Sequence, residues 1–244
     1  MTYGLELLAF APHPDDAELF CGGLLAKLAD AGHRTGIIDL TRGEKSSRGT
    51  PEGRAAETAA ASKTLGLTLR ENLGLPDAGI DPNGDLTALV ALLRRLRPEL
   101  VAVPWEEERH PDHSAASVLL TRALFFAGVQ KAADGPAFTP RQVLYYPMRH
   151  LGQPTVVIDV SASHPKKMAA VRCYGSQVDP ATPGPATLVG SPLSLPALIA
   201  RDQLYGAQIG VAFGEPYVCR ETPGLADPLD HYRRNTFSRP LFFP

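Results

Sequence analysis

Through the first 130 residues, short apolar runs alternate with stretches of helical periodicity, and this alternation decides most of what the chain can fold into. Residues 5–11 are apolar and short, as a buried strand is. Residues 17–31 space Leu24, Leu25 and Leu28 as a helix does and stop at Gly32. Further strands are expected at 35–40, 67–73 and 100–103, and further helices at 52–65, 86–96 and 114–126. Gly66 and Pro98 close two of those helices, and Pro104 closes the strand at 100–103. Strands alternating with crossover helices imply an α/β fold with a parallel, doubly wound sheet.

The remainder is less regular. Strands are expected at 143–146 and 156–160, and helices at 165–174 and 195–205. Between the helices lies a proline- and glycine-rich segment, 179–192, whose length points to a lid or an oligomer contact rather than a spacer. No internal repeat and no clean linker divides the chain, so residues 1–244 read as a single domain.

Composition excludes several roles. Hydrophobic residues make up 44% and charged residues 20%, enough for a sizeable core. The net charge of -2 and the lack of any basic block argue against nucleic acid as partner. The opening residues have no basic region before their short apolar run, and no apolar stretch reaches the roughly 20 residues of a membrane helix. No membrane partner is expected, and the location is expected to be cytoplasmic. Three widely spaced cysteines, Cys21, Cys173 and Cys219, read as buried thiols rather than a disulfide framework.

Two clusters carry the chemistry. His13-Pro14-Asp15-Asp16-Ala17-Glu18 follows the first strand directly, and His110-Pro111-Asp112-His113 follows the strand at 100–103. In an open α/β sheet, ligands bind beyond the carboxyl ends of the strands, where both clusters fall. Imidazole and carboxylate are good zinc ligands, and a catalytic zinc takes three protein ligands plus water. His13, Asp16 and His113 make a two-histidine, one-carboxylate set. Asp15 is then a free carboxylate able to take a proton from water acidified by the ion. His110 can protonate a leaving amine or stabilise an oxyanion, with Asp112 accepting its second ring proton. The competing reading is plainer: Asp15 or Asp16 caps the following helix, and the histidines are surface polar groups.

With these residues in view, the chain resembles the LmbE-like, or PIG-L, family of zinc-dependent N-acetylglucosamine deacetylases. The family patterns are close to HPDDxE and HPDH; the first is met at His13 to Glu18, preceded by Pro12, and the second in full at His110 to His113. Asp39-Leu40-Thr41-Arg42-Gly43-Glu44, Gly49-Thr50, Arg54, Asn72-Leu73-Gly74-Leu75-Pro76-Asp77 and Arg109 look like the bacillithiol biosynthesis deacetylases of that family. So do Tyr174-Gly175-Ser176-Gln177, Ala200-Arg201-Asp202 and Gly206. The resemblance implies a Rossmann-like fold and zinc on His13, Asp16 and His113. It implies Asp15 as general base, His110 as acid or oxyanion stabiliser, and Arg54 as a substrate contact. It implies N-acetylglucosaminyl malate as substrate, acetate as product, and a homo-oligomer, with a hexamer plausible.

Arg109 adjoins His110, and arginine binds carboxylate through two parallel hydrogen bonds, so it is a candidate for the malate end of such a substrate. Its alternative is a surface pair with Glu106, Glu107 or Glu108, and that of Arg54 is a helical pair with Glu57. Fe2+, Mn2+ or Co2+ suit the same ligands as Zn2+. Three other functions remain in view. One is deacetylation of another N-acetylglucosamine derivative, and one is a non-enzymatic metal-binding module. The third, a nucleotide-binding domain, lacks its glycine-rich loop, because Gly22-Gly23 falls too late after the first strand.

Overall fold

A computed structural model describes residues 4–234; residues 1–3 and 235–244 of the expected domain lie outside the described residues. Strand β1 (Leu5–Ala11) sends Leu7, Ala9 and Ala11 into one apolar core and Leu8 and Phe10 into another. A strand covered on both faces needs a continuous apolar run, which is why this segment shows no alternation. β1 is joined by β2 (Thr35–Thr41), β3 (Leu69–Leu75), β4 (Pro98–Pro104) and β5 (Gln142–Tyr146) in one parallel sheet of order β3-β2-β1-β4-β5. Crossover helices α1 (Asp16–Asp30), α2 (Pro51–Leu65), α3 (Thr87–Leu96) and α4 (Pro111–Ala127) link them. The winding direction reverses between β1 and β4, the place where such sheets open a crevice. The fold is the expected single-domain α/β, Rossmann-like architecture.

The boundaries differ in instructive places. Pro98 opens β4 instead of merely ending the preceding helix; a first strand position tolerates the missing N–H. Pro111 is the first residue of α4, which begins three residues before the expected 114, and His110 is its cap. Past β5 come β6 (Val156–Asp159), α5 (His164–Arg172), α6 (Gly175–Val178), α7 (Ser194–Ile209), β7 (Gly214–Tyr217) and α8 (Pro228–Arg234). β7 was not expected, because Gly-Glu-Pro-Tyr offers no apolar pattern. It pairs antiparallel with β6 in a separate two-stranded sheet, and Val218 then bridges to Tyr145 of β5.

Gly22 and Gly23 have a structural purpose. The Glu215 carboxylate of β7 accepts from the Gly23 and Leu24 amides of α1 at 2.7 and 2.8 Å. A Cβ on Gly23 would lie 2.8 Å from that carboxylate, so only glycine admits it. Lys167 of α5, fully buried, donates to Glu215 at 2.9 Å and to Asp202 of α7 at 2.6 Å. This buried network ties the helix that leaves the site to the second sheet. Cys21 and Cys219 are buried free thiols, but Cys173 is only half-buried, beside Thr64. Among the described residues, no helix is long and apolar enough to cross a membrane.

Candidate metal centre and active site

Both clusters come to the reversal point of the sheet. The turn after β1 is held by Thr41, whose amide and hydroxyl donate to the Pro12 carbonyl at 3.1 and 2.9 Å. His13 and Asp16 then close on one another: the His13 amide donates to Asp16 Oδ2 at 3.0 Å, and His13 Nδ1 lies 3.2 Å from the same oxygen. His113, in the first turn of α4, brings Nε2 within 3.3 Å of that oxygen. The chosen atoms of His13, Asp16 and His113 all lie within 4.8 Å of one another.

These distances fit a divalent ion. Bonds of about 2.0 Å in a tetrahedral site put neighbouring ligand atoms roughly 3.3 Å apart. The 3.2 and 3.3 Å separations match that edge. His113 Nδ1 is buried with no hydrogen-bond partner among the described residues. A second trio, His13, His110 and Asp112, is equally close. Its acceptors are engaged, however: the Asp112 amide donates to His110 Nδ1 at 3.2 Å, and the Asp112 carboxylate accepts from the Ala78 and Ile80 amides at 2.7 and 3.3 Å.

Asp112 therefore does not serve His110 as expected. Its carboxylate lies 3.3 Å from His13 Nε2, and that of Asp77 lies 3.1 Å from the same nitrogen. Only the Asp112 backbone reaches the His110 ring. The two carboxylates hold the ring nitrogen that faces away from Asp16, the arrangement that orients a metal-binding imidazole. Asp77 was not singled out as a site residue from sequence, although it ends a strand edge like the other two clusters.

Asp15 occupies a strained position, with φ 120° and ψ -28°. Its side chain makes no capping hydrogen bond, and the Asp16 carboxylate accepts from the His13 amide ahead of the helix, so the capping alternative is not what either side chain does. Instead it faces Arg54 of α2 at 3.2 Å, and the Arg54 guanidinium also donates to the Pro14 carbonyl. Arg54 does not pair with Glu57, whose carboxylate accepts from the Ser176 amide and hydroxyl. Glu18, fully buried, accepts from Tyr174 at 2.9 Å and from Arg70, which also forks onto Asp39 at 2.8 and 2.9 Å. This network braces the first turn of α1 from beneath.

The charge balance follows from burial and neighbours. Burial alone would neutralise His13, but its bonds to Asp112, Asp16 and Asp77 outweigh that and raise it to about 12. Burial raises Asp15 to about 7, against the pull of Arg54. Burial also opposes charge on Asp16, but the His113 and His13 imidazoles hold it well below the ordinary carboxylate range. Burial, and then the His113 and His13 rings, lower His110. With Nδ1 accepting an amide proton, neutral His110 carries its proton on Nε2.

A cavity of about 480 Å³ opens over these groups. His13, Asp15, Asp16, Arg54, His110 and His113 line its floor, while Arg109 and Arg149 stand on its walls with Ala186, Thr187, Leu188 and Val189 of the 179–192 segment. Arg48 fastens that segment, donating to the Asp179 carbonyl at 2.7 Å and to that of Thr182. Glu106 is paired with Arg220, Glu107 faces His150, and Glu108 accepts backbone amides, and among the described residues none of the three forms an ion pair with Arg109.

Comparison with known proteins shows the family. Residues 8–124 match the PIG-L family model, described as GlcNAc-PI de-N-acetylase. The uncharacterized deacetylase YaiS of Escherichia coli is 31% identical over 128 residues, covering 48% of this chain and 69% of that protein. Diacetylchitobiose deacetylase of Thermococcus kodakarensis is 28% identical over 189 residues, 70% of each chain. The solved structure of the conserved protein TT1542 from Thermus thermophilus is 42% identical, with a TM-score of 0.83 covering 92% of this chain and 98% of that one. The chain belongs to the PIG-L, LmbE-like family of deacetylases. It is an enzyme, a hydrolytic N-deacetylase, which removes the reading as a non-enzymatic metal module.

Proposed function

We propose that the chain hydrolyses the N-acetyl group of an N-acetylglucosamine conjugate, N-acetylglucosaminyl malate in the first instance, with zinc on His13, Asp16 and His113. One observation carries this reading: Asp15, buried and free of any capping duty, sits between Arg54 and the ligand trio at the floor of the cavity. A bound divalent ion supplies Lewis acidity and brings the pKa of water toward about 7.

The side chains divide the remaining work. Asp15 accepts the proton of the attacking water and returns it to the departing amine, a role suited to a carboxylate that titrates near neutrality. Neutral His110 donates Nε2–H toward the oxyanion that forms on the acetyl carbonyl. This is the oxyanion-stabilising one of its two expected roles, since a neutral imidazole whose Nδ1 accepts the Asp112 amide proton has its Nε2–H left to donate. Asp112 and Asp77 orient His13. Two imidazoles and one carboxylate favour zinc, with iron, manganese and cobalt sharing those donors. The 179–192 segment acts as the lid.

The malate end rests on the residues shared with the bacillithiol-type deacetylases and on Arg109 at the cavity wall. The sugar end draws support from the relative named for diacetylchitobiose. The test is acetate release by metal-reconstituted protein from N-acetylglucosaminyl malate, diacetylchitobiose and free N-acetylglucosamine. The malate conjugate should give the highest kcat/KM. Asp15→Ala should lower kcat by about 10²- to 10⁴-fold while metal content per chain is unchanged. A preference for diacetylchitobiose would replace the malate assignment, and no acetate from any of the three would overturn the reading.

A further inference from the structure

Glu108 joins two loops that wall the cavity. Its Oε1 accepts from the Arg109 amide at 2.6 Å and its Oε2 from the Arg149 amide at 2.7 Å. Arg109 lies on the loop after β4 and Arg149 on the loop after β5, the neighbouring strand. The Ser114 hydroxyl of α4 donates to the Glu106 and Glu108 carbonyls at 2.8 and 3.1 Å, fixing the first loop to its helix.

The bridge is made to the backbone and not to the guanidinium groups. Glu108, beside Arg109 in sequence, turns its two oxygens to the Arg109 and Arg149 amides and forms no ion pair with either side chain. Among the described residues, neither guanidinium forms an ion pair, while neighbouring Arg220 is paired with Glu106 at 2.6 Å. Both arginines are exposed, and both line the cavity above the catalytic groups. Two forked cations presented from separate loops suit a ligand with two anionic oxygen pairs, because each guanidinium can take one carboxylate in parallel hydrogen bonds.

We propose that Arg109 and Arg149 together form an anion subsite for the aglycone, with Glu108 as the positioning residue that sets their separation. The ligand class is a sugar conjugate bearing two carboxylates. The inference rests on the reading of the site as a deacetylase of N-acetylglucosamine conjugates, and it adds Arg149 and Glu108 to the selectivity machinery.

The test compares kcat and KM on N-acetylglucosaminyl malate and on the neutral methyl glycoside of N-acetylglucosamine, for the metal-loaded wild type, Arg149→Ala, Arg149→Lys, Glu108→Ala and Glu108→Gln. Arg149→Ala should lower the malate-to-methyl ratio of kcat/KM by about tenfold or more, through KM rather than kcat. Arg149→Lys should recover part of that ratio, since it restores charge without the fork. Glu108→Ala should lower the ratio as well, and Glu108→Gln, which keeps one acceptor oxygen, should lower it less. A ratio unchanged in Arg149→Ala, or equal losses on both substrates, overturns the subsite while a wild-type preference for the malate conjugate leaves the substrate reading intact. If the wild type hydrolyses neither conjugate, the deacetylase reading fails. Calorimetric binding of the malate conjugate to wild type and Arg149→Ala then decides the subsite: equal affinity overturns it, and weaker binding by the variant supports it.

Discussion

Arg54 holds its guanidinium 3.2 Å from the Asp15 carboxylate, reaching from the second crossover helix back to the start of the first. Burial pushes Asp15 up to about 7, and Arg54 is the strongest influence in the opposite direction. Removing the cation raises Asp15 further. With Asp15 as the proposed base, hydrolysis needs its ionised form, so Arg54→Ala should move the acidic limb of the kcat/KM profile to higher pH. An unmoved limb with a lowered plateau would assign Arg54 to substrate contact alone.

Metal and proton compete for His13. In the metal-free protein its three carboxylate neighbours raise it from an ordinary 6.5 to about 12, so it is protonated throughout the neutral range. A ligand must shed that proton, and apparent affinity should rise with pH by about tenfold per unit. Competition with a chelator at several neutral pH values measures this, and a flat profile would show that His13 is not a ligand. The same shift fixes a stability trend for the chelated protein. The contribution of His13 is complete below its unfolded value of 6.5 and is lost as pH rises toward about 12. Chelated protein should therefore unfold at progressively lower denaturant above neutrality.

Asp112 offers a discriminating substitution. Because its carboxylate meets His13 and two loop amides, Asp112→Asn should weaken metal binding by about 10- to 100-fold. Unchanged metal affinity with a reduced kcat would instead mean that Asp112 acts through His110.

Lys167 stands between Asp202 and Glu215 with no exposure to solvent. Lys167→Met leaves buried Glu215 without its cation and Asp202 with Arg201 at 3.1 Å, and should cost about 3–5 kcal/mol in denaturant unfolding. A loss below about 1 kcal/mol would show that the network does not support the fold.

The sheet was legible because its inner strands β1, β2 and β4 are apolar and largely buried, and two of its crossover helices stop at Gly32 and Gly66. The two His-Asp clusters were legible because each follows a strand at the same edge. What escaped had no local pattern. β7 is recognisable only by what it pairs with, and Glu215 acts at a glycine pair nearly two hundred residues away in sequence. Asp77 and Arg149 sit in loops whose composition resembles any other. The partner of Asp112 was misread for a related reason: proximity in sequence favoured His110, whereas the turn of α4 delivers the carboxylate to His13.

The Glu108 bridge separates two kinds of change that this scaffold can undergo. The groups proposed to cleave the amide are buried or half-buried and interlocked by carboxylates, so almost any replacement among them would be felt by the others. Arg149 is exposed; its amide meets Glu108 and its guanidinium lies 6.0 Å from the centre of the Phe20 ring, and neither of these is among those groups. A lineage, or an engineer, can therefore trade the side chain at 149 for one suited to another aglycone while the bond-breaking apparatus is left undisturbed.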